Sequence, residues 1–162
     1  MMDINYRVIA LDPGGTTGWA SYSALWLPGD PVSYSYESWE CGHMGGPHHE
    51  QLESWLGMQR VQNYTVVCER FDDRQTGHNV NLVAAEYIGV IKKYCETENV
   101  HLVMQMPGVA KPFVKNENLK LLDLWRGVKW KHAMDAQRHL LWYLINGLPH
   151  RHDLLEKGWP NK

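Results

Sequence analysis

YRVIALDPGGTTGWASY, residues 6–22, is the stretch around which the chain is organised. Its apolar run Val8–Leu11 is typical of a strand that is buried on both faces. The residues Pro13–Gly15 favour a tight turn and Thr17–Tyr22 predicts a second strand, so the unit is predicted to be a hairpin. Asp12 stands at the mouth of this hairpin, where an uncompensated carboxylate is costly to bury. A hard divalent cation would compensate the charge; the alternative is an Asp that caps the turn through backbone amides.

The composition is that of a globular domain large enough to bury a core. The chain has 162 residues, of which 44% are hydrophobic and 21% charged. Cys41, Cys68 and Cys95 are isolated and form no CxxC pair, which supports neither a disulfide framework nor a zinc ribbon. Such cysteine usage indicates a reducing compartment, and we expect a cytoplasmic protein. The longest strongly apolar run, Leu140–Ile145, is too short to span a bilayer.

Charge is unevenly distributed along the chain. Residues 1–100 hold 6 Lys and Arg against 13 Asp and Glu, whereas residues 101–140 hold 7 against 3. A basic segment within an acidic chain favours a local anionic ligand over a general effect of charge on solubility. The sequence therefore predicts that residues 101–140 meet an anion.

Hydrophobic periodicity predicts alternating strands and helices after the hairpin. The predicted elements are a strand over Val32–Cys41, a helix over His48–Arg60, a strand over Tyr64–Phe71, a helix over Asn79–Glu96, a strand over Val100–Met106 and, after a basic connector, helices over Asn116–Gly127 and His132–Asn146. This order indicates an α/β domain whose mixed five-stranded sheet has three antiparallel strands followed by parallel ones, with flanking helices. We expect a single domain over residues 1–150 and a polar C-terminal tail over residues 151–162 that frays.

Three segments far apart in the sequence each place an acidic residue where the fold would bring them together. Asp12 and Glu69 end two buried strands, and right-handed crossovers align such strand ends. The last helix carries His132 and Asp135 three residues apart and therefore on one face. Carboxylates that converge from separate elements suit one or two Mg²⁺ ions that hold phosphate and water.

Each of these residues also has an ordinary structural interpretation. Glu69 can pair with Arg70 or Arg74 at the end of its strand. Asp135 can cap the helix, and His132 can be a surface histidine. Their joint placement at two strand ends and at one inward-facing helix start favours the metal site.

Three motifs, LDPGGTTGWA, VVCERF and HAMDA, occur in this order over about residues 6–146. Together they resemble the motifs of RuvC-type Holliday junction resolvases, members of the RNase H-like (retroviral integrase) superfamily, and most of all the compact versions encoded by phages. The resemblance implies an RNase H-like fold and a homodimer that introduces paired nicks in a four-way DNA junction, with Asn79–Glu96 as the candidate dimer helix. It also implies dependence on Mg²⁺ or Mn²⁺ and products with 5′-phosphate and 3′-hydroxyl ends.

The resemblance assigns the metal ligands and catalytic acids motif by motif. It places Asp12 on the first strand, Glu69 on the fourth and Asp135 on the last helix. His132 stands where some members have Asp and others His, so the resemblance implies that it binds or orients one metal. A neutral imidazole there would lower the negative charge of the site relative to an Asp.

The resemblance also places lysines of the basic connector near the scissile phosphate. Lys111 and Lys115 are the candidates for catalysis and DNA binding, because a basic side chain there stabilises developing phosphoryl charge. The alternative is that both are solvated loop lysines. Lys120, Phe71 and Arg74 complete the predicted DNA-binding residues. Phe71 follows the second motif, where members use an aromatic residue near the junction centre, with a spacing that is one residue shorter here.

Three other functions compete with junction resolution. DPGGTTG also resembles the phosphate-binding turn of sugar kinases with the actin-like fold, but that fold needs two such domains, which 162 residues cannot supply. Within the RNase H-like fold, the alternatives are a nuclease acting on flaps, branched DNA or RNA–DNA hybrids, and a non-catalytic DNA-binding member. The first turn is one residue shorter than in the bacterial resolvases and the connector lacks their GxGxAxK pattern, so no sequence preference for cleavage is carried over.

Overall fold

The computed structural model describes residues 4–26, 34–46, 48–70, 82–148 and 151–160. Within these ranges the elements are β1 (Ile4–Asp12), β2 (Thr16–Trp26), β3 (Tyr34–Gly45), α1 (His49–Met58), β4 (Asn63–Glu69), α2 (Leu82–Thr97), β5 (His101–Gln105), α3 (Pro107–Phe113), α4 (Asn116–Leu121), a 3-10 helix (Val128–Trp130), α5 (Lys131–Gly147) and α6 (His152–Gly158). No helix in this part of the chain is long and apolar enough to cross a lipid bilayer.

The strands of the described ranges form one mixed sheet in the order β3-β2-β1-β4-β5. The pairs β1–β2 and β2–β3 are antiparallel, whereas β1–β4 and β4–β5 are parallel. The predicted sheet of three antiparallel strands followed by parallel strands is therefore confirmed. β1 lies at the centre, which explains why Val8–Leu11 is apolar throughout and fully buried.

Helices cover both faces of this sheet. Alternate residues of β1 point to opposite faces, as the two-residue period of a strand dictates. Val8 and Ala10 pack with α5 on one face, and Ile9 and Leu11 pack with α1 and α2 on the other. Each fully buried Val, Leu or Ile side chain contributes roughly 1.5–3 kcal/mol relative to an exposed one.

Most predicted elements are found where the sequence places them. β2 and β3 each extend four residues beyond their predicted ends, to Trp26 and Gly45. The predicted starts of β3 at residues 32–33 and of α2 at residues 79–81 lie outside the described residues, as does Phe71 at the predicted end of β4.

Part of the predicted basic connector is a helix rather than a loop. Residues 107–113 form α3, with Pro107 at its first position, where a proline costs no hydrogen bond. The helix packs against α5. This packing gives Lys111, in the last turn of α3, a defined position beside α5.

The helix predicted over Asn116–Gly127 ends at Leu121. Asp123 has a φ of +57°, in the left-handed region. The amide of Leu124 donates to the carbonyl of Leu119 at 2.8 Å, and this pair of features is a Schellman-type helix end. The prediction extended the helix because no glycine marks the stop.

The expectation of a fraying polar tail is wrong for residues 151–160. They include α6, and Leu154 and Trp159 belong to the core on the α5 side of the sheet. Arg151 is buried, donates to the hydroxyl of Tyr22 and lies 2.9 Å from a carboxylate oxygen of Glu37. A buried guanidinium that is paired in this way holds the end of the chain against β2 and β3.

Candidate active site

Two neighbouring parallel strands bring the first two acids together. Leu11 of β1 pairs with Cys68 of β4, so the residues that follow, Asp12 and Glu69, leave the same edge of the sheet. The charge of Glu69 helps to raise the pKa of Asp12, so the two carboxylates lie within electrostatic reach of each other. The sequence prediction that these strand ends lie side by side is therefore what the structure shows.

The start of α5 lies over the same edge. Gly18 on β2 is the register partner of Asp12, and its missing side chain lets the backbone of His132 approach directly. A Cβ at position 18 would overlap the carbonyl group of His132. This close approach seats His132 and Asp135 beside the strand ends.

The acids, the histidine and one lysine form a single cluster of paired side chains. The Nδ1 atom of His132 lies 3.1 Å from an oxygen of Asp12. The ammonium of Lys111 lies 3.2 Å from an oxygen of Asp135 and 3.8 Å from one of Glu69. The structure thus brings together five of the predicted site residues, and their role as ligands and catalytic groups stays a prediction.

Burial and neighbouring charges shift the pKa values of Asp12, Glu69 and Lys111. Burial and the neighbouring charge of Glu69 raise the pKa of Asp12 from 3.8 to about 6. Burial also raises the pKa of Glu69, but the hydrogen bond and charge of His139, with Lys111, outweigh it and hold that pKa below its usual value. Burial lowers the pKa of Lys111, but the surrounding carboxylates, of which Glu69 has the largest effect, raise it by more. The net result is a pKa above the ordinary value of a lysine. Burial and the charge of Glu69 therefore disfavour the ionised form of Asp12, whereas the surrounding carboxylates keep Lys111 protonated.

Three residues of the cluster were missed by sequence reasoning. His139 is 0% exposed and its Nε2 lies 2.7 Å from an oxygen of Glu69, while Gln105 lies behind it. Arg138 donates to Asp135 at 2.6 Å. His139 follows Asp135 by one helical turn, so helical spacing contained a signal for it. Gln105 ends β5 and lies close to the cluster only because β5 is the neighbour of β4 in the sheet.

The remaining predicted DNA-binding residues lie at or in α4 or outside the described residues. Lys115 precedes α4, and Lys120 on α4 has its ammonium 5.8 Å from the centre of the Trp125 ring. Phe71 and Arg74 lie outside the described residues.

A cleft of about 550 Å³ opens beside Asp135, between α3, the start of α4 and α5. Four basic residues line it: Lys111, Lys115, Lys131 and Arg138. Its acidic residues are Asp135 and Glu117. The predicted basic segment over residues 101–140 thus supplies a cleft with an excess of positive charge that reaches the acid cluster.

The donor chemistry of the cluster fits a hard divalent cation. Carboxylate oxygens are the ligands that Mg²⁺ prefers, and a cation would offset both the burial and the charge of Glu69 that raise the pKa of Asp12. Among the residues that the structure describes, no three His, Cys, Asp or Glu side chains already stand in a metal-holding arrangement. The carboxylates are instead paired with Lys111, His132, Arg138 and His139.

The raised pKa of Asp12 predicts an unusual pH dependence of stability in the absence of divalent cations. Between about pH 4 and pH 6 the native state retains a proton that the unfolded chain has lost. The contribution of Asp12 to the free energy of unfolding should therefore fall across this window, by roughly 1–3 kcal/mol, and level off above it. Urea unfolding of the wild type and Asp12→Asn, at pH values from 4 to 7 in EDTA, measures the difference. Parallel profiles for the two proteins would contradict the prediction.

The fold is similar to those of two Holliday junction resolvases. RuvC of Thermus thermophilus, in complex with Holliday junction substrate, superposes with a TM-score of 0.60 at 14% identity, over 88% of this chain and 94% of that one. The resolvase of Fowlpox virus, in complex with substrate Holliday junction DNA, gives a TM-score of 0.53 at 10% identity, over 88% and 99% of the two chains. No protein-family model and no curated protein sequence matches the chain. These similarities confirm the predicted RNase H-like, RuvC-type fold.

Proposed function

We propose that this chain is a structure-selective DNA endonuclease that resolves four-way junctions by paired, metal-dependent nicks. The observation that carries the proposal is the convergence of Asp12, Glu69 and Asp135 beside Lys111, at the edge of a basic cleft. Acids from three separate elements next to a surface for anions suit phosphodiester hydrolysis better than non-catalytic binding. The similar resolvases are bound to junction DNA, which supports the choice of substrate.

The residues of the chain divide the chemistry between them. Asp12, Glu69, Asp135 and His132 would hold Mg²⁺ or Mn²⁺, which when bound activates the attacking water and stabilises the departing oxygen. Lys111 is kept protonated by the carboxylates around it, so its ammonium is available to stabilise the charge that develops on the phosphoryl group. Lys115 and Lys131 would hold the DNA backbone along the cleft that leads to Asp135.

Resolution of a four-way junction requires two cuts, which a symmetric homodimer supplies with one site in each subunit. The candidate dimer helix α2 exposes Leu82 and Val83 near its first turn, and Leu82 is 66% exposed. Two exposed apolar side chains do not by themselves define an interface. The choice of α2 as the proposed dimer element rests on the resemblance to RuvC-type resolvases.

A panel of labelled substrates tests the proposed function. Four-way junctions, flaps, RNA–DNA hybrids and linear duplexes are incubated with the purified protein in Mg²⁺, Mn²⁺ or EDTA. We expect paired symmetric nicks in the four-way junction, dependent on the cation, with 5′-phosphate ends. Preferred cleavage of flaps or hybrids would instead establish the alternative nuclease, and binding without cleavage in either cation would establish the non-catalytic alternative.

Junction affinity is predicted to fall steeply with salt, because each phosphate contact releases counterions. The slope of log affinity against log salt should decrease in magnitude by about 0.9 for each contact removed. Lys115→Gln and Lys131→Gln in the cleft should each show this change in fluorescence anisotropy titrations performed in EDTA. Lys157→Gln is the matched control, because Lys157 lies on α6 and pairs with Asp153. A flat salt response of the wild type would exclude the basic cleft as the DNA surface.

A further inference from the structure

A buried chain of hydrogen bonds lies beneath the acid cluster and joins Gln105, His139 and Glu69. Both His139 and Gln105 are buried, at 0% and 3% exposure. The Nδ1 atom of His139 lies 2.7 Å from the side-chain oxygen of Gln105, and its Nε2 lies 2.7 Å from an oxygen of Glu69. A histidine that is fully buried and uses both ring nitrogens is not explained by packing alone.

The side-chain amide of Gln105 determines the role of the ring nitrogen of His139 that faces it. Its nitrogen donates to the backbone carbonyl of His139 at 3.2 Å, so its oxygen must be the atom that faces the ring. The opposite amide orientation would set two oxygens against each other. Because that side-chain oxygen only accepts, the Nδ1 atom of His139 carries a hydrogen. A second hydrogen must lie between Nε2 and the carboxylate oxygen of Glu69, because two bare acceptors 2.7 Å apart would repel each other.

We infer that His139 and Gln105 are positioning residues that hold Glu69 in the orientation in which it serves as a metal ligand. This inference rests on the proposed function. His139 and Lys111 both approach the Oε2 atom of Glu69, and a cation would bind at the other oxygen. A glutamate at the end of a strand would otherwise lose side-chain entropy to adopt one rotamer, and the buried chain removes that freedom before the cation arrives.

The same chain couples two elements that carry ligands. Glu69 ends β4, whereas His139 lies on α5 one helical turn after Asp135. Gln105 ends β5 and binds both the ring and the backbone of His139. The helix that presents Asp135 is thus tied at His139 to the strand end that presents Glu69, so a displacement of α5 would move both ligands.

The test uses the full-length protein without DNA and Mn²⁺ alone as the probe. His139→Phe keeps a ring of similar size and removes both nitrogens, and His139→Gln restores a polar group that can reach Glu69. Titrations followed by the electron paramagnetic resonance of free Mn²⁺ should show a 10- to 100-fold weaker affinity for His139→Phe, as expected for loss of an outer-sphere partner. His139→Gln should recover most of that loss. Thermal unfolding in EDTA monitors the fold of each variant.

Gln137→Leu is the matched control for a change of buried polar character on α5. Gln137 is 2% exposed, and its side-chain oxygen has no hydrogen-bond partner among the described residues. The Gln137→Leu variant should bind Mn²⁺ with the affinity of the wild type. Gln105→Leu frees the ring of His139 and should weaken Mn²⁺ binding several-fold; it decides the question if His139→Phe does not fold.

The outcomes separate this inference from the proposed function. If the wild type neither binds Mn²⁺ nor cuts junctions, the proposed function and the inference both fail. If the wild type does both, and folded His139→Phe or Gln105→Leu binds Mn²⁺ as tightly as the wild type, the inference alone is overturned. A structural role alone would lower the unfolding temperature of the variants without moving the Mn²⁺ affinity.

Discussion

Asp12→Asn is expected to reduce junction cleavage on the order of 10³-fold, the upper end of what loss of one electrostatic group at a reaction centre costs. The amide keeps the shape of the side chain and removes the charge at the point where β1 meets β4. The basic cleft lies on α3, α4 and α5 and is untouched, so junction affinity in EDTA should stay within about two-fold of the wild type. Single-turnover cleavage of a labelled junction and fluorescence anisotropy measure the two quantities.

Asp123→Asn is the matched control for this change. Asp123 is exposed in the left-handed turn that ends α4, a conformation that asparagine also adopts readily. The control should cut at the rate of the wild type. Turnover retained by Asp12→Asn would show that Asp12 is not a metal ligand. Loss of junction binding by the same variant would show that the acid cluster and the basic cleft do not act separately.

Gly18→Ala is expected to lower the cleavage rate on the order of 10²-fold, although residue 18 has no functional group. A Cβ there would overlap the backbone of His132, so the start of α5 must move away from β2. His132 and Asp135 would move with it, and misplacement of reacting groups by about 1 Å costs a factor of this size. The overlap should also reduce the free energy of unfolding by about 1–3 kcal/mol. Single-turnover kinetics and urea unfolding measure both effects.

Gly57→Ala separates this effect from a general response to added methyl groups. Gly57 lies in α1 and a Cβ there would contact nothing within 4 Å. This variant should cut normally and gain up to about 1 kcal/mol of stability, because alanine favours a helix over glycine. A wild-type rate for folded Gly18→Ala would show that the contact between α5 and β2 does not position the acids.

Local signals in the sequence account for the parts of the site that could be predicted. Asp12 and Glu69 each end an apolar run, and a strand end is visible in the sequence because burial and turn chemistry act on neighbouring residues. His132 and Asp135 could be paired by helical spacing alone. Lys111 was selected by resemblance, and its position is defined by the packing of α3 against α5.

Other parts of the molecule depend on partners that no local signal identifies. Helical spacing places His139 on the face of Asp135, but nothing in the sequence indicates its partner Gln105, which lies 34 residues away. Arg151 belongs to a segment that reads as polar, yet it is buried against Tyr22, 129 residues away. In both cases a polar group is stabilised by a partner that only the packing supplies, so composition predicts the wrong environment.

The sequence by itself determined the hairpin, the mixed sheet and the edge at which the acids gather, because the periods of strands and helices and the chemistry of turns are local properties. Only the tertiary structure decided which groups pair with those acids. They are Lys111 from α3 and Arg138 and His139 from α5, with Gln105 hydrogen-bonded to His139. The physical reason is that a buried charge is stabilised by whatever lies within hydrogen-bonding distance, and that distance is set by the packing of α5 on Gly18 rather than by separation along the chain.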